Sequence, residues 1–168
     1  LERRVSERTL ELRRAQDAAT DARPYAEKLA ELLQHVAPRT GPESHPLLAT
    51  REEVRAIDAI VVPSDRGLCG GYNTNLILRT RAFLTEQTQA HARLTLVGNK
   101  GLLYFRKRSV DITESHTQLP NGPDHALAMQ IAGRVAGEFA AAKTDAVYLI
   151  YSHFRSTLSQ VPTIQRLL

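Results

Sequence analysis

The sequence predicts an α/β fold: a mostly parallel sheet flanked by helices, with a long N-terminal coiled-coil helix. Three observations predict it. Apolar runs that read as strands alternate with helical stretches from Arg55 onward, the pattern of a parallel sheet joined by right-handed crossovers. Between Leu12 and Val36 apolar residues recur in steps of three and four, the 3.5-residue period of a heptad seam. A glycine-rich stretch, Ser64 to Asn75, follows the first apolar run and precedes a helix. It therefore sits at a strand-to-helix turn, where α/β proteins usually place their functional groups.

Residues 1–37 read as one helix. Its seam is Leu12, Ala15, Ala19, Ala22, Ala26, Leu29, Leu33 and Val36. The many alanines allow a partner helix to approach closely. Pro24 lies inside this span and removes one backbone hydrogen bond, which predicts a bend at the Thr20 carbonyl. Residues 38–54 begin with three prolines and a glycine between Pro38 and Pro46 and read as a linker. Residues 55–168 read as a globular domain.

Within that domain Arg55–Val62 is the first strand, apolar enough to be buried on both faces. A helix is expected from Leu76 to about His91, then a short strand over Leu94–Val97. Gly98 and Gly101 bracket a turn into a short helix, Leu102–Arg108, whose basic end suits the helix dipole. Val110–Ile112 is a candidate third strand. Thr113–Pro123 reads as a polar loop and Asp124 as an N-cap. Leu127, Ile131, Val135 and Phe139 recur at four-residue steps within a helix over Ala126–Lys143. Ala146–Tyr151 is the next buried strand. Thr157–Ile164 is one more extended segment, which Pro162 restricts to an edge or terminal position.

The chain has 168 residues, 42 % hydrophobic and 24 % charged, enough for one domain with a real core. No apolar run approaches the ~20 residues of a membrane span, and no secretory leader is visible. A single cysteine forms no internal disulfide and fits a reducing compartment. The net charge of +4 points to acidic protein partners. With 5 % aromatic residues and no RNA-binding motif, nucleic acid is not an expected partner.

Gly67, Gly70 and Gly71 imply backbone angles that side chains forbid, or a neighbour close to the main chain. Asp65 and Asn73 can bond backbone groups in such a turn, and Arg66 offers a permanent positive charge. The spacing matches neither a P-loop nor a dinucleotide fingerprint. On residue types alone a tight structural turn around a buried thiol is an equal reading. Cys69 as a nucleophile would need a base such as His91, His116 or His153, none at a recognisable spacing. The six histidines are scattered, so no metal site is expected, and no cofactor. Asp58 and Asp65 form a candidate carboxylate pair, each better read as solvated or capping. Anion binding at the helix start lacks a following lysine or hydroxyl.

Ser64 to Leu76, S-D-R-G-L-C-G-G-Y-N-T-N-L, resembles the signature of the gamma subunit of rotary F-type ATP synthases. Leu12–Leu29 is similar to the end of that family's N-terminal rotor helix, including Arg23-Pro24-Tyr25. Val97–Gly101 resembles its second-strand turn, and Ser159–Ile164 a late strand of its globular domain. Leu1–Thr9 departs from the pattern. The resemblance implies a non-catalytic rotor subunit that couples proton translocation to ATP synthesis or hydrolysis by rotation. Implied partners are the alpha and beta subunits of the catalytic hexamer, the epsilon subunit and the membrane c-ring. The implied location is peripheral on the cytoplasmic face of a bacterial inner membrane, ahead of a mitochondrial one. Carried over residue by residue, Asp65, Arg66, Cys69, Gly70 and Gly71 face an acidic loop of the beta subunits. Leu12, Ala15, Ala19, Ala22, Ala26 and Leu29 face a second rotor helix, which the family places after the globular domain and this sequence does not reach. Two other classes stay open: a small α/β nucleotide- or anion-binding enzyme, and a homo-oligomeric coiled-coil scaffold.

Overall fold

Five strands alternate with three helices in a computed structural model that describes residues 45–67, 69–119, 124–156 and 159–168. The predicted heptad seam and its partner-facing positions Leu12, Ala15, Ala19, Ala22, Ala26 and Leu29 lie outside these residues. Two compact units divide between Leu48 and Ala49. Of the first, a single 3₁₀ turn, Pro46–Leu48, is described.

The second unit begins inside the span read as linker. Val54 packs against the core, and the Arg51 guanidinium donates to the Phe139 carbonyl at 3.0 Å and lies 5.1 Å above its ring. Residues 49–54 are therefore part of the globular unit. Sequence polarity had hidden this, because an arginine can bury its stem while its head finds a carbonyl and an aromatic face.

The sheet runs β3-β2-β1-β4-β5, with β1 Ala56–Val61, β2 His91–Val97, β3 Asp111–His116, β4 Ala146–Ser156 and β5 Ser159–Arg166. The first four strands are mutually parallel; β5 returns antiparallel to β4. Pro162 lies on this edge strand, opposite Ser152, where its missing N–H breaks no ladder.

Helices α1 (Tyr72–Glu86) and α2 (Asn99–Phe105) cover one face. Leu76, Ile77 and Phe83 of α1 and Phe105 of α2 pack on Ile57, Ala59, Val61, Leu94, Leu96, Ala146 and Ile150. Each large side chain so buried contributes about 1.5–3 kcal/mol. Helix α3 (His125–Ala140) buries Ile131, Val135 and Phe139. Its Arg134 and Glu138 reach Asp58, Arg93 and Thr95, which point to the other sheet face. Asp124 caps α3 as expected, accepting from the Leu127 N–H at 2.9 Å. The chain steps from β1 to β2 to β3, then crosses back to β4 on the other side of β1, so the order of strand addition reverses there while β1 and β4 stay parallel.

Several boundaries differ from the sequence expectation. Helix α1 starts four residues before Leu76 and ends at Glu86. Strand β2 begins at His91, where the helix was expected to be ending. Helix α2 starts at Asn99 and closes before the basic trio Arg106-Lys107-Arg108. Strand β3 runs on to His116 through residues read as loop; its alternation of exposed and half-buried side chains is that of an edge strand. Strand β4 extends to Ser156, well past the end of β1. The segment Tyr151–Ser156 pairs with β5 alone and forms a two-stranded ribbon beyond the sheet.

Candidate functional site

The Asn73 side chain makes most of the bonds that fasten the turn between β1 and α1. The Asn73 carbonyl oxygen accepts from the Ser64 N–H at 3.0 Å. Its amide nitrogen donates to the Ser64 hydroxyl at 2.9 Å, the Arg66 carbonyl at 3.3 Å and Cys69 Sγ at 3.0 Å. Helix α1 opens at the Gly71 cap, with Tyr72 N–H reaching the Cys69 carbonyl and Asn75 N–H the Gly71 carbonyl. Of the three glycines, Gly70 alone has a left-handed φ, 56°, and a Cβ there would meet open space. The tightest backbone approach lies elsewhere, at Gly98.

Asp65 joins three loops. Its carboxylate accepts from the N–H of Asn99 at 2.7 Å, Leu119 at 2.7 Å and Gln118 at 3.2 Å. Burial opposes ionisation, yet the amides of Leu119, Asn99 and Gln118 and the Arg66 charge hold the carboxyl below its ordinary range. Removing this acceptor orphans all three amides. Asp65→Ala is expected to cost about 3 kcal/mol, measured by urea unfolding. The folded value is lowered, so the stabilisation is complete above the usual carboxylate range and fades as pH falls through the folded value. Asp65→Ala should therefore flatten the acid side of the stability profile.

Arg66, Cys69, Gly70 and Gly71 lie at the surface, with Asp65 half-buried beneath them. The Lys100 ammonium lies over Gly67, 3.4 Å from where a Cβ would stand. Two cations thus crown the turn. The thiol is exposed, contrary to the buried-thiol reading. Its polar neighbours are Asn73 and, at 3.9 Å, the Ser64 hydroxyl. None of the three candidate bases bonds to it. His91 pairs with Ala56 at the opposite end of β1, His116 lies 3.1 Å from Glu114, and His153 pairs with Val161 in the ribbon. Tyr72 has its phenol pushed up by burial and by the neighbouring Cys69. A cleft of about 200 Å³ opens between the turn and the ribbon, where Cys69, Tyr72 and Asn75 face Ser152, Gln160 and Pro162.

Asp58 is neither solvated nor capping, against the sequence expectation. It is fully buried, 2.6 Å from Arg93 and 3.6 Å from Arg134. Glu138 bonds both arginines, and Glu114 lies 3.2 Å from Arg134. Asp65 belongs to the opposite end of β1, so the two carboxylates form no pair. The cluster was invisible in the sequence because its members are 35 to 80 residues from Asp58.

The ATP synthase family matches residues 8–168 of this sequence. The chain belongs to the ATP synthase gamma-chain family. Gamma chains of Desulfitobacterium hafniense and Moorella thermoacetica are each 41 % identical over 157 residues, 94 % of this chain and 55 % of theirs. The chain from Pelotomaculum thermopropionicum is 40 % identical over the same shares. The chain thus spans little more than half the length of these relatives. The fold is shared with the central stalk of the Tetrahymena thermophila mitochondrial ATP synthase (TM-score 0.59, 23 % identity, 81 % of this chain and 58 % of that one). A chain of the Euglena gracilis mitochondrial ATP synthase is similar at TM-score 0.52 and 17 % identity, over 90 % and 52 % of the two chains. The match to the gamma-chain family begins at residue 8, within the charged Leu1–Thr9 stretch that departs from the family's pattern. Among the described residues no helix is long and apolar enough to cross a membrane.

Proposed function

We propose that this chain supplies the globular head and part of the first rotor helix of a central-stalk gamma subunit. The observation that carries the reading is the 41 % identity to gamma chains over 94 % of the sequence. The chain itself performs no chemistry in this reading. ATP is made or hydrolysed by the alpha and beta subunits, and rotation of an asymmetric shaft biases each catalytic site toward a different shape. The seam Leu12, Ala15, Ala19, Ala22, Ala26 and Leu29 would carry the second rotor helix. The turn would meet the hexamer through Arg66, Cys69, Gly70 and Gly71, with Asp65 acting from behind by fixing the three loops. Arg66 and Lys100 suit an acidic surface. The epsilon subunit and the c-ring would take other faces, and the assembly would lie peripherally on the cytoplasmic face of a bacterial inner membrane.

Purified alpha and beta subunits mixed with this chain test the reading by native mass spectrometry. A complex of one chain with one hexamer is expected. Failure to associate at micromolar concentrations, together with calorimetric binding of ATP or ADP to the isolated chain, would favour a small nucleotide-binding enzyme instead.

A further inference from the structure

We propose that Pro162 guards the outer edge of β5: it bars this edge from pairing with the same strand of a second copy of the chain.

The ladder shows which groups line that edge. In antiparallel strands, residue pairs that exchange both hydrogen bonds alternate with pairs that exchange none, whose main-chain groups point away from each other. The Ile150 carbonyl accepts from the Val62 N–H at 2.9 Å, on the β1 side of β4. Ile150 therefore turns its main chain away from β5, and Ile164, opposite it, turns its own to the open edge. The Leu167 N–H donates to the Val147 carbonyl at 2.8 Å, which fixes the same phase from the other end of β5. Steps of two then place Gln160, Pro162, Ile164 and Arg166 along the edge, and the register is unbroken from Phe154 opposite Gln160 to Tyr148 opposite Arg166. Pro162 interrupts this row. It offers no N–H, and its ring stands where an incoming carbonyl would have to approach.

The rest of β5 lacks the other means of closing an edge. Ser159–Arg166 reads S-Q-V-P-T-I-Q-R, with one charge, at its last residue. Its ladder irregularity lies at the start, opposite Phe154 and Ser156. Val161, Thr163 and Ile164 favour extended backbone. High β-propensity, low charge and the absence of proline mark segments that pair with their own copies, and Pro162 removes β5 from that class. At the opposite edge β3 is protected differently: its ladder is irregular beside Leu94 and Thr95, and it carries Asp111 and Glu114. Pairing of β5 with β5 would be the self-complementary contact of a two-fold dimer, so opening one edge opens both sides of the interface.

The test compares wild type with Pro162→Val by sedimentation velocity over a range of concentrations and by amide exchange. Valine restores the N–H and suits a strand. Relative to wild type, Pro162→Val should shift toward the dimer mass as concentration rises, and protection of the Ile164 and Arg166 amides should increase about tenfold. Association through any other surface is common to both chains and cancels in the comparison. Gln160→Pro added to Pro162→Val moves the gap two residues along the same edge and should restore wild-type behaviour; circular dichroism checks that it folds. Sedimentation and exchange unchanged in Pro162→Val would overturn the proposal. So would association that survives Gln160→Pro, because the valine side chain and not an opened edge would then be its cause.

Discussion

Asp58→Ala is expected to lower the free energy of unfolding by about 3–5 kcal/mol, the cost of breaking a buried ion pair from one side. The carboxylate is fully buried and is the central anion under α3. Without it Arg93 and Arg134 stand beside each other with Glu138 and Glu114 as their remaining counter-charges. Three atoms of this cluster, Asp58 Oδ1, Arg93 Nε and Arg134 Nε, are buried without a hydrogen bond in the present arrangement, so little slack exists to absorb a missing partner. Urea unfolding of Asp58→Ala, Arg134→Met and the double variant forms a cycle. The double variant should recover part of the loss, because removing both charges leaves less uncompensated than removing one. If the two single effects add, the pair is not coupled and this account fails.

The same cluster makes the seam under α3 sensitive to acid. Burial raises the Glu138 carboxyl, but hydrogen bonds from Arg134 and Arg93 outweigh it and hold the group below its ordinary range. A lowered folded value means the stabilisation is full above the usual carboxylate range and is lost as pH falls through the folded value. The opposite face, where α1 and α2 pack, is apolar. Amide exchange in α3 should therefore rise in acid before exchange in α1 does.

These charges explain where sequence reading stopped. The β-α alternation, the Asp124 cap, the edge position of Pro162 and the buried positions of α3 were legible, because each follows from local periodicity or local chemistry. The beginning of β2 was not. The helix was expected to run to about His91 and the strand to begin at Leu94; Arg93 becomes a strand residue because Asp58, opposite it on the adjacent strand, neutralises it. The first turn of α1 was missed for a related reason. Tyr72-Asn73-Thr74-Asn75 has weak helix propensity, and the Asn73 side chain turns back to Ser64 and Cys69 to hold the junction. At the turn itself, the glycines and Arg66 were visible as surface features. The commitment of Asp65 to three amides was not, since two of its partners lie more than fifty residues away. Composition names a charged residue; only the topology says whether it faces a partner or its own backbone.

Gly70 bears out the backbone constraint expected at the β1–α1 turn, but the tighter one lies at Gly98, and this sets the second large expectation. Gly98→Ala should cost about 4 kcal/mol, whereas Gly70→Ala should cost about 1–2 kcal/mol. Both glycines have positive φ. A Cβ at Gly70 meets nothing within 4 Å and suffers the backbone penalty alone. A Cβ at Gly98, with φ 125°, would stand 2.2 Å from the Pro63 carbonyl oxygen and 3.0 Å from the Ser64 carbonyl carbon. Main chain cannot rotate aside as a side-chain tip would. The β1 and β2 loops must separate, and Asn99, whose N–H donates to Asp65, moves with them. Gly98→Ala should thus loosen the Asp65 hub as well as strain its own turn. Thermal melts give the size of each effect. Amide exchange at Asn99, Gln118 and Leu119 gives the mechanism: protection there should drop in Gly98→Ala and persist in Gly70→Ala. Equal protection in the two variants would mean that the loops do not depend on this close approach.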